Sequence, residues 1–244
     1  MNTPVAHDRG AMSTVRLIRC GGVAGIAGGL CGLLLSPVVT AAGNLKWGSD
    51  LPWEGNAPAW LTPFRSSIEP LLALPPEGEV YATYGKMYFF VYLLLLLAAV
   101  GLKLALEGQV GHSGHRGLRL ILVGLGLNLF GTVSDYWLGY SVLGQPWWGL
   151  FFVVGTELGY LIYVIGSIML ARSALKNNVF PGWWAWLLMI TAVAGLFLPF
   201  WGVEHVPSGM VLPMSICWLP TGFLLLSGKQ PIRSPDIVAG TTPG

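Results

Sequence analysis

Six apolar runs, each close to the length of one bilayer crossing, dominate this sequence. They cover residues 21–42, 87–106, 118–137, 149–171, 182–200 and 209–227. A helix needs roughly 20 mostly apolar residues to cross about 30 Å of hydrocarbon. Lipid offers no partner to backbone N–H and C=O groups, so a spanning segment is a helix or part of a closed barrel. The alternating ten-residue pattern of a barrel strand is missing. The expected fold class is therefore all-α, a polytopic transmembrane bundle of six spans. Composition agrees: the 244 residues are 54% hydrophobic and 10% charged, against about 25% charged in a soluble domain. A water-soluble globule and a disordered chain are both excluded. A net charge of +2 gives no reason to expect a nucleic-acid partner.

Lys and Arg set the orientation of such a chain. With both termini in the cytoplasm, ten of the 13 basic residues fall inside: Arg9, Arg16, Arg19, Lys103, Arg116, Arg119, Arg172, Lys176, Lys229 and Arg233. Lys46, Arg65 and Lys86 fall outside. The expected organisation is a cytoplasmic tail at 1–20, a bundle at 21–227 and a disordered cytoplasmic tail at 228–244. The expected location is the cell membrane, with the lipid bilayer as principal partner. Arg16 and Arg19 before an apolar run, with Val39-Thr40-Ala41 behind it, also match a signal-peptide layout. Cleavage there would leave five spans. The apolar stretch continues to Ala42, which favours a retained helix.

Tyr136, Trp137, Trp147, Trp148, Trp183, Trp184, Trp186 and Trp201 stand at predicted span ends, where amphipathic rings anchor at the headgroups. The segment 43–86 is the one sizeable outer loop, rich in Trp and Pro. Thr62-Pro63 and the pair Ser66/Glu69 offer helix starts, and Pro75-Pro76 a stop. A short helix over about 63–74 is predicted there, lying on the membrane surface or capping the bundle. Cys20, Cys31 and Cys217 form neither a disulfide framework nor a zinc spacing.

The polar residues inside the spans carry the functional expectation. Glu157 lies about 12 Å into span four at 1.5 Å per residue. An ionised carboxylate there costs roughly 2.5–3.5 kcal/mol on insertion scales, so such residues default to function. Gly155 and Gly159 form a small-xxx-small pair, each about 160° around the helix from Glu157. In span three, Gly124, Asn128, Gly131 and Asp135 share one face by their 4-3-4 spacing. Asn128 and Glu157 fall at similar depth on adjacent helices, so a hydrogen bond between them is expected. Asp135 falls nearer the outer mouth. Gly21, Gly25 and Gly29 make a packing seam in span one, and both glycine seams are candidate association faces for a homo- or hetero-oligomer. Glu204 and His205 at the outer end of span five are weaker candidates.

No phosphate loop, H-E-x-x-H or G-x-S-x-G occurs. His112 and His115 lack a companion ligand set, so neither a metal nor a cofactor is expected. The expected protein is a multi-pass, non-enzymatic membrane protein. Its polar site at Glu157, Asn128 and Asp135 would take a small or lipidic ligand or join helices. The alternatives are a transporter that moves protons on Glu157, and an intramembrane enzyme acting on a lipid.

Overall fold

The computed structural model describes residues 5–47, 59–76, 79–197 and 206–227, and within them every regular element is helical. α1 is Val5–Trp47, a single 43-residue helix. A 3₁₀ segment, Ala59–Phe64, leads into α2, Arg65–Leu72. α3 is Val80–Ala105 and α4 is His112–Thr132. α4 widens into a π-helical turn, Val133–Leu138. The short helices α5 (Gly139–Leu143) and α6 (Gln145–Phe152) follow. A second π-helical turn, Val153–Leu158, leads into α7, Gly159–Asn177. α8 is Gly182–Phe197 and α9 is Val206–Leu226.

Four stretches are long and apolar enough to cross a membrane: Met12–Leu45, Val80–Ala105, His112–Leu138 and Pro146–Asn177. The helices over the last two predicted spans, Gly182–Phe197 and Met210–Leu226, are equally apolar in kind but shorter. Gly139 and Gly144 adopt φ of 62° and 72°, a region that favours glycine. They allow the tight reversal between the third and fourth of the long stretches.

The helices close into a ring. α1 packs on α3, α3 on α4, α4 on α7, α7 on α8, α8 on α9, and α9 returns to α1. Glycines set the closest approaches. A Cβ on Gly21 would lie 2.7 Å from Gly101 Cα, and one on Gly25 3.1 Å from Gly222 Cα. A Cβ on Gly29 would lie 2.8 Å from the Leu219 backbone. These contacts hold α1 between α3 and α9, as small residues do in membrane interfaces. α4 and α7 are held alike, with Gly117 against Gly166 and Gly131 against Gly155.

The interior is aromatic and partly polar, and the outside is apolar. Tyr88, Tyr92, Tyr160, Tyr163, Trp184 and Trp218 are fully buried. Several of their polar tips find partners across helices, whereas the buried Tyr92 hydroxyl has none. Trp184 Nε1 donates to Thr221 Oγ1 at 2.8 Å, Trp218 Nε1 to Tyr163 OH at 3.2 Å, and Tyr160 OH to Ala192 O at 3.0 Å. Leu34, Phe90, Val123, Ile165, Ile190 and Phe223 are exposed. A soluble bundle would reverse this distribution.

The outer-loop helix starts at Arg65, two residues later than Thr62-Pro63 suggests and earlier than a cap at Ser66 would allow. Phe64 stands at its N-cap with no side-chain bond, and Ser66 and Glu69 lie inside α2. Proline at 63 is accommodated instead by the 3₁₀ segment. α2 buries Ile68 and Leu72, lies against α1, and receives the Tyr84 hydroxyl on Leu71 O. Val39, Thr40, Ala41 and Ala42, the small-residue run that resembles a cleavage site, are buried within α1.

Candidate functional site

The stripe on α4 faces α7 over its first three members. A Cβ on Gly124 would lie 2.6 Å from Tyr163 N, and one on Gly131 2.8 Å from Thr156 N. Asn128 is buried between them, against Gly159 of α7. Its Nδ2 donates to Gly124 O of its own helix at 2.8 Å, and Thr132 Oγ1 donates to Asn128 O at 2.9 Å. Asn128 Oδ1 has no partner.

Asp135 leaves that stripe. The π turn at Val133–Leu138 inserts extra arc into the helix, so residues beyond Thr132 rotate away from α7. Asp135 is turned to α3 and α6 instead. Trp148 Nε1 of α6 donates to Asp135 Oδ1 at 3.1 Å, and Tyr81 OH of α3 to Asp135 Oδ2 at 3.4 Å. The Tyr81 and Tyr136 hydroxyls are 3.2 Å apart. One phenol carries one proton, so the consistent chain runs from Tyr136 to Tyr81 to the carboxylate. The Tyr81 and Tyr136 rings have centroids 5.1 Å apart, and Tyr88 meets Tyr136 edge-on at 6.4 Å. The Tyr136 ring lies over Gly85, where a Cβ would come within 1.9 Å of Cδ1. At the rim, Lys86 Nζ stands 5.7 Å from the centroid of the exposed Trp137 ring.

Glu157 lies elsewhere. It is in the second π turn, and its side chain is exposed. Gly155 and Gly159 on the opposite face pack against α4, where a Cβ on Gly155 would lie 2.4 Å from Gly131 Cα. The expected hydrogen bond between Asn128 and Glu157 is therefore not made: the seam that brings the helices together turns the carboxylate away from α4. Asn128 spends its Nδ2 donor within its own helix instead, and its Oδ1 stays without a partner. Glu204 and His205 lie outside the described residues. No group of three His, Cys, Asp or Glu side chains gathers as a metal set among the described residues.

Asp135 is bonded by Tyr81 and Trp148, with Tyr136 behind Tyr81, and the sequence pattern places these residues at a loop edge or as interface anchors. A signal for the first was present. Tyr81, Gly85, Tyr88, Tyr92 and Leu95 repeat at 4-3-4-3 along α3, one buried face of a helix. The resulting site is a half-buried carboxylate, held by two donors on separate helices and edged by electron-rich rings. It can hold a cation or an N–H donor, since the acid supplies charge and the ring faces add cation–π attraction. No protein-family model, curated protein or solved structure matches the chain.

Proposed function

We propose that this is a non-enzymatic multi-pass integral membrane protein. In this reading its six helices span the cell membrane with both termini in the cytoplasm, and the Asp135 site at the outer mouth binds an alkylammonium group. That group is carried by a small molecule or by a lipid headgroup. The observation behind the reading is the placement of Asp135: a π turn aims it away from the helix seam and into a cluster of Tyr81, Tyr136 and Trp148. π turns recur at functional sites in membrane and soluble helices alike. The burial of the cleavage-like residues against the rest of the ring supports a retained first span.

The test is direct. The protein in lipid nanodiscs is titrated with choline and with ethanolamine while tryptophan fluorescence is followed. Wild type should give a saturable change, Asp135→Asn none, and Trp148→Phe a much smaller one. A response that is equal in wild type and Asp135→Asn removes the reading.

One observation favours a second role for another residue. Glu157 is exposed beside Val153, Leu158 and Leu161, and a carboxylate facing lipid is costly. The glycine seams are filled from within the chain, so association with a further chain falls to this face. Glu157→Gln should then leave the ammonium response intact while changing oligomeric state. Proton-coupled transport through Glu157 needs a wet path beside it. Lipid chemistry needs it to converge with Asp135, which faces α3 and α6.

A further inference from the structure

The end of the ring opposite Asp135 holds a cavity of about 280 Å³, lined by Gly111, His112, Ser113, Arg172, Ser173, Lys176 and Asn177. Two helices make it: the first turn of α4 and the last turns of α7. Its charged side chains, Arg172 and Lys176, are both cations, and no described acid pairs with either of them. They are one turn apart on α7, so they flank the cavity from one wall. The other wall is backbone. α4 begins at His112 behind Gly111, which offers no side-chain cap, so the first N–H groups of His112 and Ser113 have no helical acceptor. The wall is also held close: a Cβ on Gly114 would lie 2.7 Å from Ser173 Oγ. Ser173 is buried in the floor, and its hydroxyl and carbonyl both receive Asn177 Nδ2, at 3.3 and 2.8 Å.

We propose that this cavity is a binding site for a phosphate group, borne by an anionic lipid or free in solution. A tetrahedral oxyanion matches the parts. Arg172 gives planar, paired donors, Lys176 a compact charge, and uncapped backbone N–H groups favour an anion at the start of α4. The surrounding charge agrees. Arg16, Arg19, Lys103, Arg116 and Arg119 are exposed near the same end, on α1, α3 and α4. That field raises the local concentration of anions. The cavity adds what the general field lacks, a concave seat with directed donors. The site is remote from Asp135, and its failure would leave the ammonium reading untouched.

The experiment uses the full chain in neutral phosphatidylcholine nanodiscs and reads the thermal unfolding midpoint. One arm adds inorganic phosphate against chloride at matched ionic strength. The other replaces part of the lipid with phosphatidic acid. A saturable rise in one arm identifies free or lipid-borne phosphate as the source. Arg172→Gln with Lys176→Gln should raise the half-saturating concentration about tenfold or more, as expected for lost charge-assisted bonds. Arg119→Gln removes a cation that lies outside the cavity and adds only to the general field, so it should shift that concentration far less. Ser113→Asp is a second probe that keeps the fold, because an acid suits the first turn of a helix, yet it repels an anion. It should abolish the response even where the double variant expresses poorly. No saturable rise in either arm overturns the proposal. So does an Arg119→Gln loss as large as that of the double variant, or an unchanged response in Ser113→Asp.

Discussion

The carboxylate of Asp135 depends on groups from two other helices, and its behaviour in variants follows from that. Tyr81→Phe removes one donor and the link to Tyr136 but keeps the ring. It should weaken ammonium binding a few-fold and lower stability by about 1 kcal/mol, the usual net worth of one hydrogen bond. Calorimetric titration with choline and thermal unfolding check the two halves. Gly85→Leu acts differently. Its Cβ would invade the Tyr136 ring, so about 1–3 kcal/mol of overpacking is expected, with loss of the site as Tyr136 is pushed out. At this scale the sequence was partly legible. Asp135 and Asn128 stand out as polar residues in apolar helices, and Asn128 is buried as its position on the glycine stripe suggests. The partners of Asp135 were hidden because a tyrosine or tryptophan near a span end has two uses, headgroup anchoring and hydrogen bonding. Residue type alone does not separate them. Glu157 shows the converse. Its angle to Gly155 and Gly159 was readable, but that the far side of the helix would stay exposed was not.

At the scale of elements, the π turns at Val133–Leu138 and Val153–Leu158 are the departure from regular helix that matters. The tight backbone approach at Gly131 and Gly155 falls just before the first of them and within the second. A hydropathy pattern assumes a fixed 3.6-residue turn, so it carried Asp135 along the α4 stripe when the chain in fact rotates it off. Nothing in residues 133–138 announces that widening. The glycine contacts lead to a paired prediction. Gly155→Ala sets a Cβ 2.4 Å from the Gly131 Cα, and backbone cannot move aside as a side chain does. It should lower stability by about 1–3 kcal/mol or more. Gly149→Ala meets nothing within 4 Å and lies in α6. It should be neutral or stabilise by up to about 1 kcal/mol through helix propensity. Denaturation of the two variants in the same detergent decides between these outcomes. Equal destabilisation by both would show that the seam is not tight.

For the whole molecule, the positive charge gathers at one end of the ring and the α2 cap at the other. The orientation reading predicts that Leu74→Cys, 74% exposed beyond α2, reacts with an impermeant maleimide on intact cells. Lys176→Cys should react after permeabilisation, both in a background without Cys20, Cys31 and Cys217. The reverse pattern would invert the topology. At this scale run length marked the four helices long and apolar enough to cross a membrane, because spanning sets a minimum apolar length. It could not show that α9 returns to α1, since ring closure arises from Gly25 and Gly29 meeting Gly222 and Leu219 across nearly the whole chain. That closure bears on α1 itself. At 1.5 Å per residue its 43 residues extend about 65 Å, well beyond a bilayer's hydrocarbon. It is gripped from Gly21 to Gly32 by two neighbours, while Met12, Val15 and Leu17 nearer its start are exposed. A rod buried along its C-terminal half and bare near its start is a handle, so a pull on its N-terminal arm would be carried through the buried length to the end on which α2 rests.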